Sequence, residues 1–228
     1  MFENEDPLAT SEPPRKGDLL FRGDLPDGFN NACLNVSSGN DRALYLEGYR
    51  RGARFLVEHV VKDRHDQDFL VYPIIFLYRH HIELALKNLI LQAPYLLSQA
   101  LTKQEDENLL KHRLEWLWRD FKPMLHTIWK AAGWTPLPEA DIEGLEDYIE
   151  QLAKMDADSF AFRYAHTKKG QPSLPGVTQI NLRHFAETIE RLADYFDALD
   201  AAIYSAAENK AETEEYWRSE MADYMGYA

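Results

Sequence analysis

A short strip of charged side chains interrupts the most apolar stretch of the sequence. Arg79, Glu83 and Lys87 are spaced four residues apart, and His80 directly follows Arg79. On an α-helix this spacing places the three charges on one face, where the central carboxylate can pair with both cations. Histidine changes protonation near neutral pH, so the pattern also fits a site in which His80 moves protons while Arg79 and Lys87 hold a phosphate.

Apolar residues enclose this charged strip on both sides, which leaves two interpretations open. One side carries Ile82, Leu86, Leu89 and Ile90, and the other carries Leu84 and Leu91. A charged strip between two apolar faces either lines a functional cleft or forms a paired polar seam at the edge of the core. Burying charges is costly unless they are paired, so we expect the strip to have partners elsewhere in the chain.

A second group of reactive side chains lies in the longest internal stretch without helical period, residues 156–179. This stretch carries four basic side chains: Arg163, His166, Lys168 and Lys169. In a functional interpretation the arginine and lysines hold phosphate, and His166 acts as an acid or base. In a structural interpretation Arg163 is the partner that Glu83 requires, and the pair ties this loop to the central helix.

Other combinations of residues offer little chemistry. His80 with Glu83, and His112 with Glu115, each place two metal-ligand types on one helical face, but a metal centre needs both helices to face each other. We therefore predict neither a metal nor a cofactor. The single cysteine, Cys33, excludes an internal disulfide and lacks the basic neighbour that would activate a thiol. No nucleophile-elbow motif supports a hydrolase triad.

The apolar periodicity predicts an all-α fold, a bundle of about five helices around a central buried helix. That central helix starts in the apolar run from Phe69 to Tyr78, where no face could be left to water, and ends near Pro94. The other predicted helices cover 41–62, 104–131 with a break at Pro123 and an inner stripe that includes Leu110, 139–155, and a last helix capped by Asn181. No segment alternates as a strand does.

The last helix carries a heptad pattern of apolar residues. Its members are Leu182, Phe185, Ile189, Leu192, Phe196, Leu199 and Ile203. Such a seam packs along another helix, either in the same chain or in the second copy of a homodimer. Around this bundle, residues 41–205, we expect a loosely ordered N-terminal arm over 1–40 and an acidic C-terminal helix or tail over 206–228.

The charge and the N-terminus restrict the location and the partners of the protein. A net charge of −13 opposes broad coating of nucleic acid but permits a local basic site such as Arg163–Lys169. The N-terminus is acidic and carries no apolar leader. A membrane span needs about 20 apolar residues, and the longest apolar run is cut off at Arg79. We therefore expect a cytoplasmic protein without membrane contact.

Three motifs occur in an order that resembles a known superfamily. The central helix contains Arg79-His-His-Ile-Glu-Leu-Ala-Leu-Lys87, a later helix begins near His112-Arg-Leu-Glu-Trp-Leu, and the late loop contains Phe162-Arg163-Tyr164. Together they resemble the HEPN superfamily of helical nucleotide-binding domains, over about residues 66–205. The resemblance implies a dimeric helical domain of a toxin–antitoxin or phage-defence system. Many such domains are metal-independent RNases that use an Arg–His motif and the RNA 2′-hydroxyl, and others only bind.

Two function hypotheses follow from this resemblance and from the residues above. In the first, the protein is a metal-independent endoribonuclease or an RNA- or nucleotide-binding protein of a defence or stress module. Its catalytic residues would be His80, Glu83, Arg163 and His166, and its phosphate-binding residues Arg79, Lys87, Lys168 and Lys169. Arg163 and His166 are separated by two residues, fewer than in the family's motif. In the second hypothesis the chain is a non-catalytic interaction module that acts through dimerisation or docking to a partner protein.

Overall fold

A computed structural model describes residues 13, 15–17, 19–21, 23, 28–34 and 41–226. The chain divides into two units, Met1–Gly39 and Asn40–Ala228. Within the first unit the described residues form one short 3-10 helix, Gly28–Asn30, and Cys33 is exposed. Most of the predicted N-terminal arm, 1–40, lies outside the described residues.

The second unit is built from helices. These are α1 (Asp41–Asp63), α2 (Gln67–Leu97), α3 (Lys103–Leu109), α4 (Leu114–Ala131), α5 (Glu139–Met155) and α6 (Leu182–Gly226). Among the described residues there is no strand, only an isolated bridge between His166 and Pro172. The prediction of an all-α bundle is confirmed, and the described residues form six α-helices where about five were expected.

Helix α2 is the central element, because α1, α4 and α6 all pack against it. Its buried side chains, which include Ile74, Ile82 and Leu86, form the middle of the core. The expectation that the first ten apolar residues would all be buried is wrong, since Phe69 is 76% exposed and Tyr72 48% exposed. These residues lie just after the α1–α2 connection, where the neighbouring helices leave the outer face of α2 uncovered.

Helix α2 also has the length and composition of a membrane span. Within the described part of the chain it is the one helix that meets this criterion, with a mean hydropathy of 1.2, and half of its apolar window is buried in the protein. The helix does not end at Pro94 as predicted but continues to Leu97. A proline removes one backbone hydrogen bond, and here the carbonyls of Pro94 and Tyr95 accept from the residues that close the helix.

The long helix predicted over 104–131 is two helices, with the break at residues 110–113 and none at Pro123. Helix α3 starts with a capping box in which the Thr102 and Glu105 side chains each accept from the other's backbone N–H. Leu110, predicted on the inner stripe, is 80% exposed because it lies in this connection. Pro123 is accommodated inside α4.

The remaining helices follow the sequence pattern closely. Helix α5 has the predicted bounds, and the Asn181 side chain caps α6 by accepting from the His184 backbone N–H at 3.0 Å. The heptad seam of α6 is buried in the core of its own chain, apart from the partly buried Phe185. This seam is therefore not free to pair with a second copy. Past the bundle α6 continues as one helix, in which all the described side chains from 211 to 224 are exposed.

Candidate functional site

The guanidinium of Arg79 is fully buried at the point where α2 meets two connecting segments. Its Nε donates to the Asp156 carbonyl at 2.9 Å, and its Nη2 donates to the carbonyls of His112 at 2.6 Å and Ala157 at 3.1 Å. Its Nη1 donates to Glu83 at 3.2 Å. Arg79 therefore joins α2 to the α3–α4 connection and to the segment after α5. A buried side chain that holds four acceptors is poorly suited to the phosphate-binding role predicted for it.

The carboxylate of Glu83 is the centre of the charged strip, and its side chain is only 1% exposed. Besides Arg79, it accepts from Lys87 Nζ at 2.9 Å and from His112 Nδ1 at 2.8 Å. Burial by itself raises the pKa of Glu83, but the hydrogen bonds and charges of Lys87 and His112 outweigh it and hold the pKa below its usual range. The prediction that the charges pair in series and find a partner elsewhere in the chain is confirmed.

Arg163 is not the partner of Glu83, and that prediction is wrong. Its Nε donates to the Ser159 carbonyl, and its guanidinium lies over the Phe76 ring, 5.5 Å from the centroid, and near Tyr164 at 5.7 Å. Glu83 is already satisfied by groups from its own helix and from the α3–α4 connection. The exposed Arg163 instead covers the neighbouring turn of α2 and remains accessible to a ligand.

His80 lies on the same face of α2 as Phe76, Glu83 and Lys87, since these positions recur every three or four residues. Its ring stacks on Phe76 with centroids 5.8 Å apart and meets the edge of Tyr49 at 4.4 Å. Burial lowers the pKa of His80, and the charges of His112 and Lys87 lower it further against the opposite effect of Glu83. His80 is therefore a neutral imidazole at pH 7.

His112 is the residue that the sequence analysis missed as part of this site. Its side chain is 54% exposed, yet its Nδ1 is held by the buried carboxylate of Glu83. A carboxylate that accepts from Nδ1 fixes the tautomer and orientation of the imidazole. The two residues are 29 positions apart, so no local spacing in the sequence could have revealed the pair.

These contacts define one surface, which we call the His112 site. It consists of Phe76, His80, Glu83, Lys87, His112 and Arg163. Four predicted site residues are thus brought together: His80, Glu83, Lys87 and Arg163. The site combines the imidazoles of His80 and His112 with two cations, the partly buried Lys87 and the exposed Arg163.

Apart from Arg79, which bonds to Glu83 on α2, the three remaining predicted residues lie on a separate turn. His166, Lys168 and Lys169 are exposed, and the turn is closed by a hydrogen bond from the Thr167 N–H to the Gln171 carbonyl at 2.8 Å. Among the described residues no contact joins His166 to the His112 site. That the charged strip and the Arg163–Lys169 loop form one site, in which His166 acts as acid or base, stays a prediction.

A separate group of side chains could hold a metal ion. The donor atoms of His59, Asp63 and His65 lie within 4.8 Å of one another at the α1–α2 connection. Both ring nitrogens of His59 contact carboxylates, Asp63 at 2.8 Å and Asp66 at 3.1 Å. The pairs weighed from the sequence do not form such a group, because Glu115 pairs with Arg113 at 2.8 Å instead of meeting His112.

Comparison of the chain with models of known protein families, with curated proteins and with solved structures found no match. The resemblance to HEPN domains therefore rests on the three sequence motifs alone. What the protein does is inferred from the geometry of its own side chains.

Proposed function

We propose that the protein is a metal-independent endoribonuclease whose reaction takes place at the His112 site. The observation that carries this proposal is the buried Glu83 carboxylate, whose Oε1 lies 2.8 Å from Nδ1 of the exposed His112. His80 lies on the same face of α2 as Glu83. Two neighbouring imidazoles, one partly buried with a lowered pKa and the other exposed and bonded to a carboxylate, are suited to be the base and the acid of one reaction.

The roles follow from these environments. His80, kept neutral by burial and by nearby cations, removes the proton from an RNA 2′-hydroxyl. The 2′-oxygen then bonds to phosphorus, and the bond from phosphorus to the 5′-oxygen breaks. His112, whose Nδ1 is held by Glu83, donates a proton to the leaving 5′-oxygen. The products are a 2′,3′-cyclic phosphate and a free 5′-hydroxyl.

Substrate binding falls to the other members of the site. Arg163 is exposed and already lies over an aromatic ring, an arrangement that suits contact with a phosphate beside a stacked base. Lys87 is held by Glu83 at 2.9 Å and adds a second positive charge. The net charge of −13 limits binding to this local patch, so affinity should fall as salt rises.

The test is incubation of the purified protein with mixed RNA in EDTA. We expect cleavage that leaves 2′,3′-cyclic phosphate ends and is lost in His80→Gln and in His112→Gln. His184→Gln is the matched control, since His184 is an exposed histidine on α6. Cleavage that survives both site variants would overturn the proposal, and so would the absence of cleavage together with unchanged RNA binding in the variants. Growth inhibition on expression, relieved by His112→Gln, tests the role in a defence module.

A second candidate function is a helical interaction module that dimerises through the end of α6. It is favoured by a stripe of exposed apolar side chains at helical spacing: Trp217, Met221 and Tyr224 are 60%, 60% and 80% exposed. Light scattering tests it directly. A dimer that becomes a monomer in Trp217→Ala/Met221→Ala supports this function, and a native monomer excludes it.

A further inference from the structure

The turn between α1 and α2 gathers four side chains of the two types that commonly bind transition metals. His59 and Asp63 lie one helical turn apart at the end of α1, and His65 and Asp66 lie in the short connection to α2. A ring nitrogen of each histidine and a carboxylate oxygen of Asp63 lie within 4.8 Å of one another. All four side chains are between 36% and 60% exposed, so an ion from solution can reach them.

The contacts of His59 ask for a positive charge. Its Nδ1 lies 2.8 Å from Asp63, and its Nε2 lies 3.1 Å from Asp66. A neutral imidazole carries one N–H and can donate to only one of these carboxylates, so the other contact places a nitrogen lone pair against an oxygen. Either a second proton on the ring or a cation between the nitrogen and the oxygen makes that contact favourable.

Asp66 lies where it orients both imidazoles. Its Oδ2 is 3.1 Å from Nε2 of His59 and 2.6 Å from Nδ1 of His65. Metal-binding histidines usually donate their second ring N–H to a carboxylate, which fixes the ring. The nitrogens left over are Nδ1 of His59, which faces Asp63, and Nε2 of His65, which has no hydrogen-bond partner among the described residues. Asp66 is the N-cap residue of α2, yet its side chain caps no backbone N–H there, so it serves the imidazoles instead.

The two carboxylates of this group lack a permanent counter-charge. In the ion pairs of the described residues, the partners of Asp63 and Asp66 are histidines and include neither lysine nor arginine. A divalent cation would supply that charge. Imidazole nitrogen together with carboxylate oxygen suits Zn²⁺, whereas Mg²⁺ and Ca²⁺ prefer oxygen ligands alone.

We propose that His59, Asp63 and His65 bind Zn²⁺ at the turn between α1 and α2, with Asp66 as the carboxylate that orients both rings. Ligand atoms of a tetrahedral zinc are about 3.3 Å apart, so the contact between His59 and Asp63 opens by roughly half an ångström, which partly exposed side chains allow. Three protein ligands leave the fourth position to water. The ion takes no part in the proposed RNA cleavage, which is expected to proceed in EDTA.

Calorimetric titration of ZnCl₂ into the metal-free full chain, purified without a polyhistidine tag, tests this site. We expect one saturable Zn²⁺ per chain and much weaker binding of Mg²⁺. Because the ion joins the end of α1 to the residues ahead of α2, Zn²⁺ should also raise the midpoint of thermal unfolding. Co²⁺ in place of Zn²⁺ should give the intense visible absorption of a tetrahedral site.

Substitutions distinguish the ligands from the orienting residue. His59→Gln and His65→Gln should each weaken Zn²⁺ binding by about 100-fold or more, and Asp66→Asn by about tenfold. His126→Gln and Asp68→Asn are the matched controls, since both residues are exposed and neither belongs to the group. The altered side chains are all partly or fully exposed, so circular dichroism should show native helix content in every variant.

Three results would overturn the proposal: no saturable binding of Zn²⁺, equal affinity in the native chain and in His59→Gln and His65→Gln, or binding of Mg²⁺ as tight as that of Zn²⁺. The first result would mean that a protonated imidazole makes both contacts of His59. None of these measurements depends on RNA cleavage, so the zinc site and the nuclease are tested separately.

Discussion

Oε1 of Glu83 lies 2.8 Å from Nδ1 of His112 and 2.9 Å from Nζ of Lys87, so one buried carboxylate holds two side chains that reach the surface. Its other oxygen, Oε2, accepts from the buried guanidinium of Arg79 at 3.2 Å. We call the buried contact between Oε2 and Arg79 the inner side of the charged strip, and Lys87 and His112, which reach the surface, its outer side. Of the two interpretations left open by the sequence, the paired polar seam is present in the structure, and the functional cleft stays a prediction.

The inner side predicts a large loss of stability on removal of Glu83. Glu83→Ala leaves Arg79 buried without its carboxylate, and we expect the free energy of unfolding to fall by about 3–5 kcal/mol. Urea unfolding followed by circular dichroism measures this. Glu107→Ala is the control, since Glu107 is exposed and lies 3.7 Å from Lys103 in a surface pair. A loss below about 1 kcal/mol at Glu83 would contradict the structural role.

Stability should fall in mildly acidic solution because of a buried histidine. Burial lowers the pKa of His81, whose Nδ1 lies 3.0 Å from the Leu46 carbonyl while its Nε2 has no hydrogen-bond partner among the described residues. Between the folded pKa and the unfolded value of about 6.5, the unfolded chain binds more protons, so stability is lost as pH falls through this window.

The measurement is the free energy of unfolding at several pH values, for the native chain and for His81→Asn. Asparagine can still donate to the Leu46 carbonyl but does not titrate. The free energy of unfolding of His81→Asn should therefore change less between pH 7 and about 5.5 than that of the native chain. Glu83, whose pKa is lowered, contributes stability above its unfolded value and loses it only as pH falls further. Parallel curves for the two proteins would show that His81 does not cause the loss.

The helices were predictable where their determinants are local. The bounds of α5 and the start of α6 follow from apolar period and from the Asn181 cap, which acts over three residues. The break between α3 and α4 was not predicted, because Pro123 looked like the stronger breaker. The chain breaks instead at residues 110–113, after a short capped helix whose buried Asn108 donates to Asp120 at 2.6 Å.

The site was predictable only in part, for a related reason. Helical spacing placed His80, Glu83 and Lys87 together correctly, because those contacts run along one helix. The partners of Glu83 from other segments depend on how the connections fold. Arg163 and His112 could each have reached Glu83 from another segment. The turn that follows α5 leaves Arg163 over Phe76, while the α3–α4 connection brings His112 to the carboxylate.

Arg163 should matter for RNA binding and little for stability. It is exposed and its guanidinium rests on Phe76, so Arg163→Ala should change the free energy of unfolding by less than about 0.5 kcal/mol. RNA affinity should fall about three- to tenfold, and the slope of affinity against salt should decrease by roughly one phosphate contact. Fluorescence anisotropy at several salt concentrations measures both. Arg191→Ala, at an exposed position on α6, serves as the control, and equal effects in the two variants would exclude a specific role for Arg163.

Two adjacent arginines of α1 provide an internal comparison of buried and exposed charge. Arg50 has an 8% exposed side chain and pairs with Glu190, Asp194 and Asp197 of α6, whereas the side chain of Arg51 is 68% exposed and pairs with Glu47 on its own helix.

Arg50→Ala removes the cation that three carboxylates share where α1 meets α6, and leaves Arg54, at 3.8 Å, beside Glu190. We expect it to lower the free energy of unfolding by about 2 kcal/mol, since two of the three carboxylates are largely exposed. Arg51→Ala should cost less than about 0.5 kcal/mol. Urea unfolding of both variants measures the two losses of unfolding free energy and compares them. Equal losses of unfolding free energy in the two variants would mean that solvent screens the ion pairs of Arg50 as fully as it screens the surface pair of Arg51.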